Sequence, residues 1–533
     1  MRHTLTLALF AVSAQFVRAQ QCDWLTSASI DYDLNPTLPS EVIASAPGRL
    51  VIARNTTGYF IYDQHVYGNA MVEALGLDGL PYWSCGLFDS VHVESAVVSG
   101  DGRAFFAGSF MGDMQLCDGT VLGGVPGQST FYENMFLLAV DLSEGTILWS
   151  RNLSFAHDQA IEIPSMAFDP QGRLWYAVSE WGIGKVVRVD GNGADVETRL
   201  ADGPRTIGTI SFDPAGGLYM SGGCDNNGFA FGGQAYQDYG DTGYSMFLLR
   251  YKPDGTAGFA AFADDITFQD PCVVAATDGH AYLAGGIFDA TQWGDVQLHG
   301  PNWSQEVFIV RVDSLGEFLW GVESAPAEPE PITGNFMRSS GPCIALDPDD
   351  RLYLIGDARG TTDWGNGVIT GSSVITDHVL AVVAFSDEGT ALWSADSEVS
   401  AGWSEARNIT ASAEPGSVHF AAHIRDPFEF GDHSTGDVGV QAAAFAELSG
   451  ITTALRPVAN ERSAEAWPVP SRSVVHVGHT GAKTTADLIN SAGEQVRTLP
   501  LLPGRNTIDM SYLPAGLYFL RTAEGDVMRL VKE

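Results

Sequence analysis

Residues 246–263 read MFLLRYKPDGTAGFAAFA, and the same pattern recurs through most of the chain. An apolar run of strand length is followed by a polar turn and a second, looser strand. Copies stand at 71–84 (MVEALGLDGLPYWS), 135–150 (MFLLAVDLSEGTILWS), 184–200 (GKVVRVDGNGADVETRL), 307–321 (VFIVRVDSLGEFLWG) and 379–394 (VLAVVAFSDEGTALWS), with a weaker one at 441–455 (QAAAFAELSGITTAL). The turns PDG, DGNG and SEG supply residues that tolerate the backbone angles a hairpin needs. A second motif precedes each copy: a turn, then an apolar strand ending in small residues. It reads APGRLVIA at 46–53, GDGRAFFAG at 100–108, DPQGRLWYA at 169–177, DPAGGLYMSG at 213–222, TDGHAYLAGG at 277–286, DPDDRLYLIG at 347–356 and EPGSVHFAA at 414–422. Its seven anchors (Gly48, Gly102, Gly172, Gly216, Gly279, Asp350, Gly416) span 368 residues in six steps, about 61 residues per copy.

Each unit therefore predicts two hairpins, or four short antiparallel strands. Such a unit buries its faces only against neighbours, and radial repetition leaves only short, protected edges. The expectation is an all-β fold, a β-propeller of about seven four-stranded blades, with six or eight still open. The runs FLLAV, FLLRY, FIVRV and LAVVAF mark strands packed between blades, and Trp149, Trp320 and Trp393 read as packing residues. A variable loop in several units carries an aromatic–glycine pair: Phe231-Gly232, Trp293-Gly294, Trp364-Gly365, Phe430-Gly431. Asp23-Trp24-Leu25-Thr26-Ser27 looks like the end of the strand–turn–strand motif, so it is expected to add a strand to the last blade and close the ring. The two-part unit resembles the SBBP-type β-propeller repeat, with its D-x-x-G-x-x-Y-x-x-G start and F-x-x-K-x-D-x-x-G-x-x-x-W finish, over residues 45 to 455. The family's lysine is replaced here by Ala139, Arg188, Arg250, Arg311 and Val383. The resemblance speaks to fold and is silent on activity.

The two ends speak to destination. Arg2, the apolar run Leu5–Val12 and the small or apolar Val17 and Ala19 make a secretory signal peptide over residues 1–19, cut before Gln20. Residues 20–455 are the propeller, and the polar, proline-bearing 456–466 is a linker. Residues 467–533 read as a small antiparallel sandwich with strands near 473–477, 484–490, 494–498, 505–509, 516–521 and 527–531. This segment resembles the C-terminal sorting domain of the type IX secretion system of Bacteroidota. The family's proline-rich start falls on Pro468 and Pro470, and its hairpin on Asn490-Ser491-Ala492-Gly493. Its G-x-N-x-I-D-L-S-x-L-P-x-G-x-Y-x-L signature falls on Gly504, Asn506, Ile508, Asp509, Met510, Ser511, Leu513, Pro514, Gly516, Tyr518 and Leu520, and its terminal basic residue on Lys532. The resemblance implies a secreted or outer-cell-surface protein whose partner is the type IX machinery. In relatives the domain is removed and the passenger is often tethered to surface lipopolysaccharide.

The chain carries 28 basic and 65 acidic side chains, a net charge of −37. Removing Arg2 and Arg18 with the signal makes this −39, and the tail from Trp467 is +1, so the acidity belongs to the propeller. That disfavours nucleic acid and anionic membranes as partners. Outside the signal no run is long and apolar enough to span a bilayer as a helix. Six cysteines (Cys22, Cys85, Cys117, Cys224, Cys272, Cys343) allow up to three disulfides, with fifteen connectivities if all pair. Cys272 and Cys343 hold matching repeat positions, but matching positions on neighbouring blades need not come within bonding range.

Chemistry-bearing motifs are sparse. The loop Cys224–Asp241 is acidic and glycine-rich, and Asp225, Asn227, Asp238 and Asp241 are candidate oxygen ligands for calcium. The EF-hand glutamate is missing, so a solvated blade insertion is the plainer reading; no cofactor is predicted and calcium alone is admitted. The stretch Asp190–Asp195 reads as a hairpin turn. His419 and His423 lie four apart on one strand face and could meet Asp432 or His433 at a transition metal, with packing histidines as the default. There is no G-x-S-x-G elbow, no HExxH and no P-loop. The sequence favours an exported binding or interaction module for a surface glycan or protein. The alternative is a secreted polysaccharide hydrolase or lyase with carboxylates in the propeller channel.

Overall fold

The computed structural model describes residues 19–29, 41–55, 58–61, 64–76, 78–124, 133–153, 165–180, 182–237, 244–264, 270–300, 306–324, 334–339, 341–374, 376–399, 403–451, 464–467, 473–479, 483–490, 495–522 and 527–532. They fall into two compact units that divide after Thr453. The signal peptide lies outside the described residues, apart from Ala19.

In the larger unit, seven sheets among the described residues form four-layered blades; in six of them the strands follow sequence order from hub to rim, and in the seventh the rim strand comes from the N-terminus. Blade one, for example, runs Glu41–Ala46, Arg49–Asn55, Ala70–Gly76 and Pro81–Phe88. The inner strands of the next blades are Val91–Val98, Ser165–Phe168, Pro204–Phe212, Cys272–Ala275, the split pair Gly334–Arg338 and Ile344–Leu346, and Trp403–Ala411. Each packs against the next, and the seventh against the first. The all-β propeller expected from the repeats is therefore the fold of this unit.

Blade seven has a mixed origin. Its inner three strands are Trp403–Ala411, Ser417–Arg425 and Gln441–Ile451. Its outer strand is Ala19–Ser29, paired antiparallel with Gln441–Ile451 from Ala19↔Ile451 to Ser29↔Ala442. Among the described residues the third strand of repeat seven runs on to Ile451, and the N-terminal strand holds the rim position. Trp24 is 6% exposed and donates its Nε1–H to Glu447 Oε2 at 2.9 Å.

Trp24 also repeats a contact made around the ring. The rim-strand aromatic of one blade covers the hairpin glycine of the next. A Cβ built on Gly145 would stand 2.7 Å from the Trp83 ring, on Gly193 2.7 Å from Trp149, on Gly389 2.9 Å from Trp320, and on Gly79 3.1 Å from Trp24. Trp83, Trp149 and Trp320 each donate Nε1–H to a backbone carbonyl of that next blade: Leu142, Gly191 and Asp387. These tryptophans are inter-blade packing residues. Two of the three arginines that replace the family lysine also reach across, while Arg188 pairs with Glu197 of its own blade. Arg311 pairs with Asp278 at 2.6 Å and donates to the Asp387 carbonyl, and Arg250 pairs with Asp213 at 2.7 Å and donates to the Ser314 carbonyl.

At the hub, neighbouring blades share no backbone ladder, so each exposed edge needs side-chain partners. Asn55 both donates to and accepts from Val93 of blade two. The Ser95, Ser165 and Thr209 hydroxyls accept the N–H groups of Met166, Ile210 and Val273 in the following blade. Asp357 accepts the Ala406 N–H, and Ser45 Oγ meets His419 Nδ1 at 2.8 Å where blade seven meets blade one.

The smaller unit has two sheets. One holds Ala464–Trp467, Val474–His479 and Gly504–Asp509; the other holds Gln495–Leu501, Thr484–Asn490, Gly516–Thr522 and Val527–Lys532. The strand Ala464–Trp467 pairs with Val474–His479, so the last residues assigned to the linker belong to the sandwich.

Deleting residues 20–29 leaves the Gln441–Ile451 edge and the blade-one turn uncovered. The melting temperature should fall by roughly 10 °C or cooperativity should be lost, and Trp24→Ala alone should remove about 3–5 kcal/mol. Thermal melts by circular dichroism check both.

Candidate functional site

Residues from all seven inner strands line a central channel of about 380 Å³. Its wall is mostly uncharged: valine, isoleucine, alanine and leucine are interspersed with Ser95, Ser165, Thr209, Ser211, Thr410 and Asn408. Thr209 and Ser211 receive the N–H groups of Val273 and Ala275 in the same order, so the inner strands of blades four and five run in the same direction. Glu94 is the one carboxylate among the described lining residues. It sits at a bulge between Val93 and Ser95, accepts the Ser109 hydroxyl at 2.7 Å and faces His92 Nδ1 at 3.9 Å.

A charged cluster sits beside the wall where the inner strands of blades seven and one adjoin. Arg407 occupies a second bulge, between Ala406 and Asn408, and is 3% exposed. It joins Glu405 at 3.0 Å and stands 3.7 Å from Glu41. Both Glu41 carboxylate oxygens are buried without a hydrogen bond. Burial pushes the Glu41 carboxyl up to about 7 against the opposing pull of Arg407, with Glu405 adding to the rise and Arg54 resisting it. Burial likewise drives Asp357 up to about 8, despite the Ala406 N–H; Glu405 adds to this while Arg407 and Arg359 oppose it.

The sequence candidates do not gather. Asp225 ends the strand Leu218–Asp225, is exposed and pairs with Arg205 at 3.2 Å. Asn227 opens the next strand, Asn227–Phe231. Asp238 and Asp241 lie outside the described residues. Among the described residues no three His, Cys, Asp or Glu side chains share a metal-sized site. His419 and His423 do share a strand face. His419 is held by Ser45 and lies 3.8 Å from Glu447, and burial pulls its imidazole down to about 4. His423 falls to about 3 through burial and the nearby Arg407. Asp432 and His433 stand on a separate small ribbon, Phe428–Phe430 with His433–Thr435. Asp190 accepts the Asn192 and Ala194 N–H groups, as a hairpin turn requires. Sequence reasoning missed Glu41, Arg407 and Asp357; their only signal was position at an inner strand start or in a second strand, next to a small-residue run.

In the smaller unit the signature residues build turns. Asn506 accepts the Leu502 N–H at 2.9 Å and donates to the Leu502 carbonyl at 2.7 Å. Asp509 accepts the Ser511 N–H, and the Tyr518 hydroxyl donates to the Pro514 carbonyl at 2.9 Å. Ile508, Met510, Leu513 and Leu520 are buried together. Residues 465–532 match the family of secretion system C-terminal sorting domains. The C-terminal unit is a sorting domain. It marks the chain for export to the cell surface or the medium by the type IX route.

No curated protein matches the chain. Among solved structures, PorZ, a surface component of the type IX secretion system of Porphyromonas gingivalis, is similar at 10% identity and a TM-score of 0.34, over 93% of this chain and 70% of that one. A quinohemoprotein alcohol dehydrogenase from Pseudomonas putida HK5 is similar at 11% identity and a TM-score of 0.37, over 85% and 79%. The Dos1 propeller follows at 10% and 0.35, over 77% and 93%. Likenesses this distant carry no argument about activity, and the propeller is read from the chain's own sheets.

A carboxyl raised by folding stabilises the fold below its ordinary range and loses that contribution as pH rises through the folded value. Glu41 and Asp357 should therefore lower the melting temperature by roughly 5 °C between pH 5 and pH 8.5. His419 and His423, pulled down by folding, act in the opposite sense below about pH 6.5. The variants Glu41→Gln and Asp357→Asn should flatten the alkaline limb; an unchanged slope in both contradicts the assignment.

Proposed function

We propose that the protein is an exported, surface-delivered binding module, and that the channel mouth of its propeller receives a neutral, hydroxyl-rich ligand of the glycan class. The observation that carries this reading is the channel wall. It offers hydroxyls, one amide and one carboxylate in an otherwise apolar surface, the composition of a recognition site rather than of an acid–base pair. The acidic surface turns away polyanions and leaves neutral ligands unopposed. The sorting domain supports a place of action outside the cell, and surface attachment is the form in which a binding module stays where its ligand is.

Polysaccharide cleavage would need a second carboxylate opposite Glu94. Among the described lining residues there is none, and the buried Glu41–Arg407–Glu405 group is tied up by its own ion pairs. Calcium at the Asp225 loop is kept as a condition of the test, since two of its four candidates lie outside the described residues.

The mature chain is screened against neutral glycans and polysaccharides, with calcium and with EDTA, reading bound ligand and released sugar together. Binding without turnover is expected, weakened about tenfold by Glu94→Gln or Asn408→Ala at unchanged melting temperature. Released sugar, or no glycan binding in either buffer, contradicts the proposal. Removing residues 465–532 should leave the propeller's melt intact and abolish export, read as retention of the chain in the cell.

A further inference from the structure

One side-chain position links consecutive blades at the hub. Seven residues before the turn anchors Gly102, Gly172, Gly216, Gly279 and Asp350 stand Ser95, Ser165, Thr209, Cys272 and Cys343. Ser95, Ser165 and Thr209 each accept an N–H from the inner strand of the following blade. Cys272 does the same with sulfur, accepting the Cys343 N–H at 3.3 Å. The thiol has replaced the hydroxyl at two consecutive places, and the convergence of blades at the hub brings the two together. Their sulfurs stand 3.3 Å apart, and the residues are 3% and 0% exposed.

This junction is also where the ring's inner layer is interrupted. The sixth inner strand is broken into Gly334–Arg338 and Ile344–Leu346, both pairing with Leu352–Asp363. Arg338 bridges the gap by donating to the Asp270 carbonyl of blade five, and its guanidinium approaches Cys272 Sγ at 3.7 Å. Among the described residues no hydroxyl of blade five accepts an N–H from the inner strand of blade six, as happens at each step from blade two to blade five; the Cys272 sulfur stands in its place.

We propose that Cys272 and Cys343 are joined by a disulfide in the exported protein, a covalent clamp between blades five and six at the hub of the ring. Two S–H bonds break and one S–S bond forms. Two protons and two electrons pass to a thiol–disulfide oxidoreductase, whose own disulfide is reduced to a dithiol. A chain bearing a sorting domain leaves the reducing cytoplasm, and the fold already holds the Cys85–Cys117 disulfide, which ties a ribbon of blade two to the rim strand of blade one. The Cys343 hydrogen bond and Arg338 hold the Cys272 thiol down at about 6, which favours the thiolate that attacks. Forming a bond of about 2.05 Å brings the sulfurs closer by about 1.3 Å from their 3.3 Å separation. Cys22 and Cys224 are buried without a disulfide and stay thiols.

The test is peptide mapping of the exported full chain, denatured in an alkylating reagent without reductant. Label is expected on Cys22 and Cys224 only, with the Cys272 and Cys343 peptides recovered as one cross-linked species that separates on reduction. Label on both Cys272 and Cys343 before reduction, or either cysteine linked elsewhere, overturns the proposal. A second readout is the double variant C272S/C343S. It should melt about 3 °C below the parent without reductant and level with it in dithiothreitol; an equal melt in both buffers contradicts the clamp.

Discussion

The antiparallel ladder between Ala19–Ser29 and Gln441–Ile451 is the interaction on which the ring depends. Backbone hydrogen bonds between blades at the hub are few: the Gly341 N–H reaches the Arg407 carbonyl and the Ile409 N–H the Pro342 carbonyl between blades six and seven, but among the described residues none joins blade seven to blade one. Here the propeller's two ends meet inside one sheet, and parting the last blade from its N-terminal strand must break that ladder. Trp24 makes the closure specific. It carries the rim aromatic's contact with the next hairpin glycine across the seam, as Trp83, Trp149 and Trp320 do elsewhere. A Cβ built on Gly431 of the last blade's ribbon would stand 3.5 Å from Cys22, much as one on Gly294 would stand 3.0 Å from Phe318 in blade five. The N-terminal strand is thus a full member of the last blade.

Closure in turn sets the chemistry of the hub. Seven inner strands without shared ladders must satisfy their edges with small side chains, and serine, threonine, asparagine and cysteine do this with little bulk. The result is a channel whose described lining carries one carboxylate, Glu94. Further charge gathers around the buried Arg407, which pairs with Glu405 and stands 3.7 Å from Glu41, and burial raises the Glu41 and Asp357 carboxyls.

Much of this was legible in the sequence because the repeat unit is also the physical unit. The apolar runs and the PDG, DGNG and SEG turns fell on third strands, hairpins and rim strands, and Asp23–Ser27 announced the closing strand through its likeness to a rim strand. The sorting signature was legible because its residues make the turns of the sandwich. Other features were hidden because they depend on which blades adjoin at which radius. Cys272 and Cys343 shared a repeat position, but their proximity needed the hub geometry. Glu41 and Arg407 are far apart in the chain and meet only because blade seven abuts blade one. The calcium candidates show the converse: an acidic, glycine-rich run marks an insertion whatever it binds, and Asp225 turns to Arg205.

Amide hydrogen exchange on the exported chain tests the closed ring most directly. If residues 20–29 are the rim strand of the last blade, their amides should be as protected as those of 441–451, and the two segments should exchange together in a single cooperative opening. Rapid exchange across 20–29 while 441–451 stays protected would mean that the ring is closed by something other than its own N-terminus.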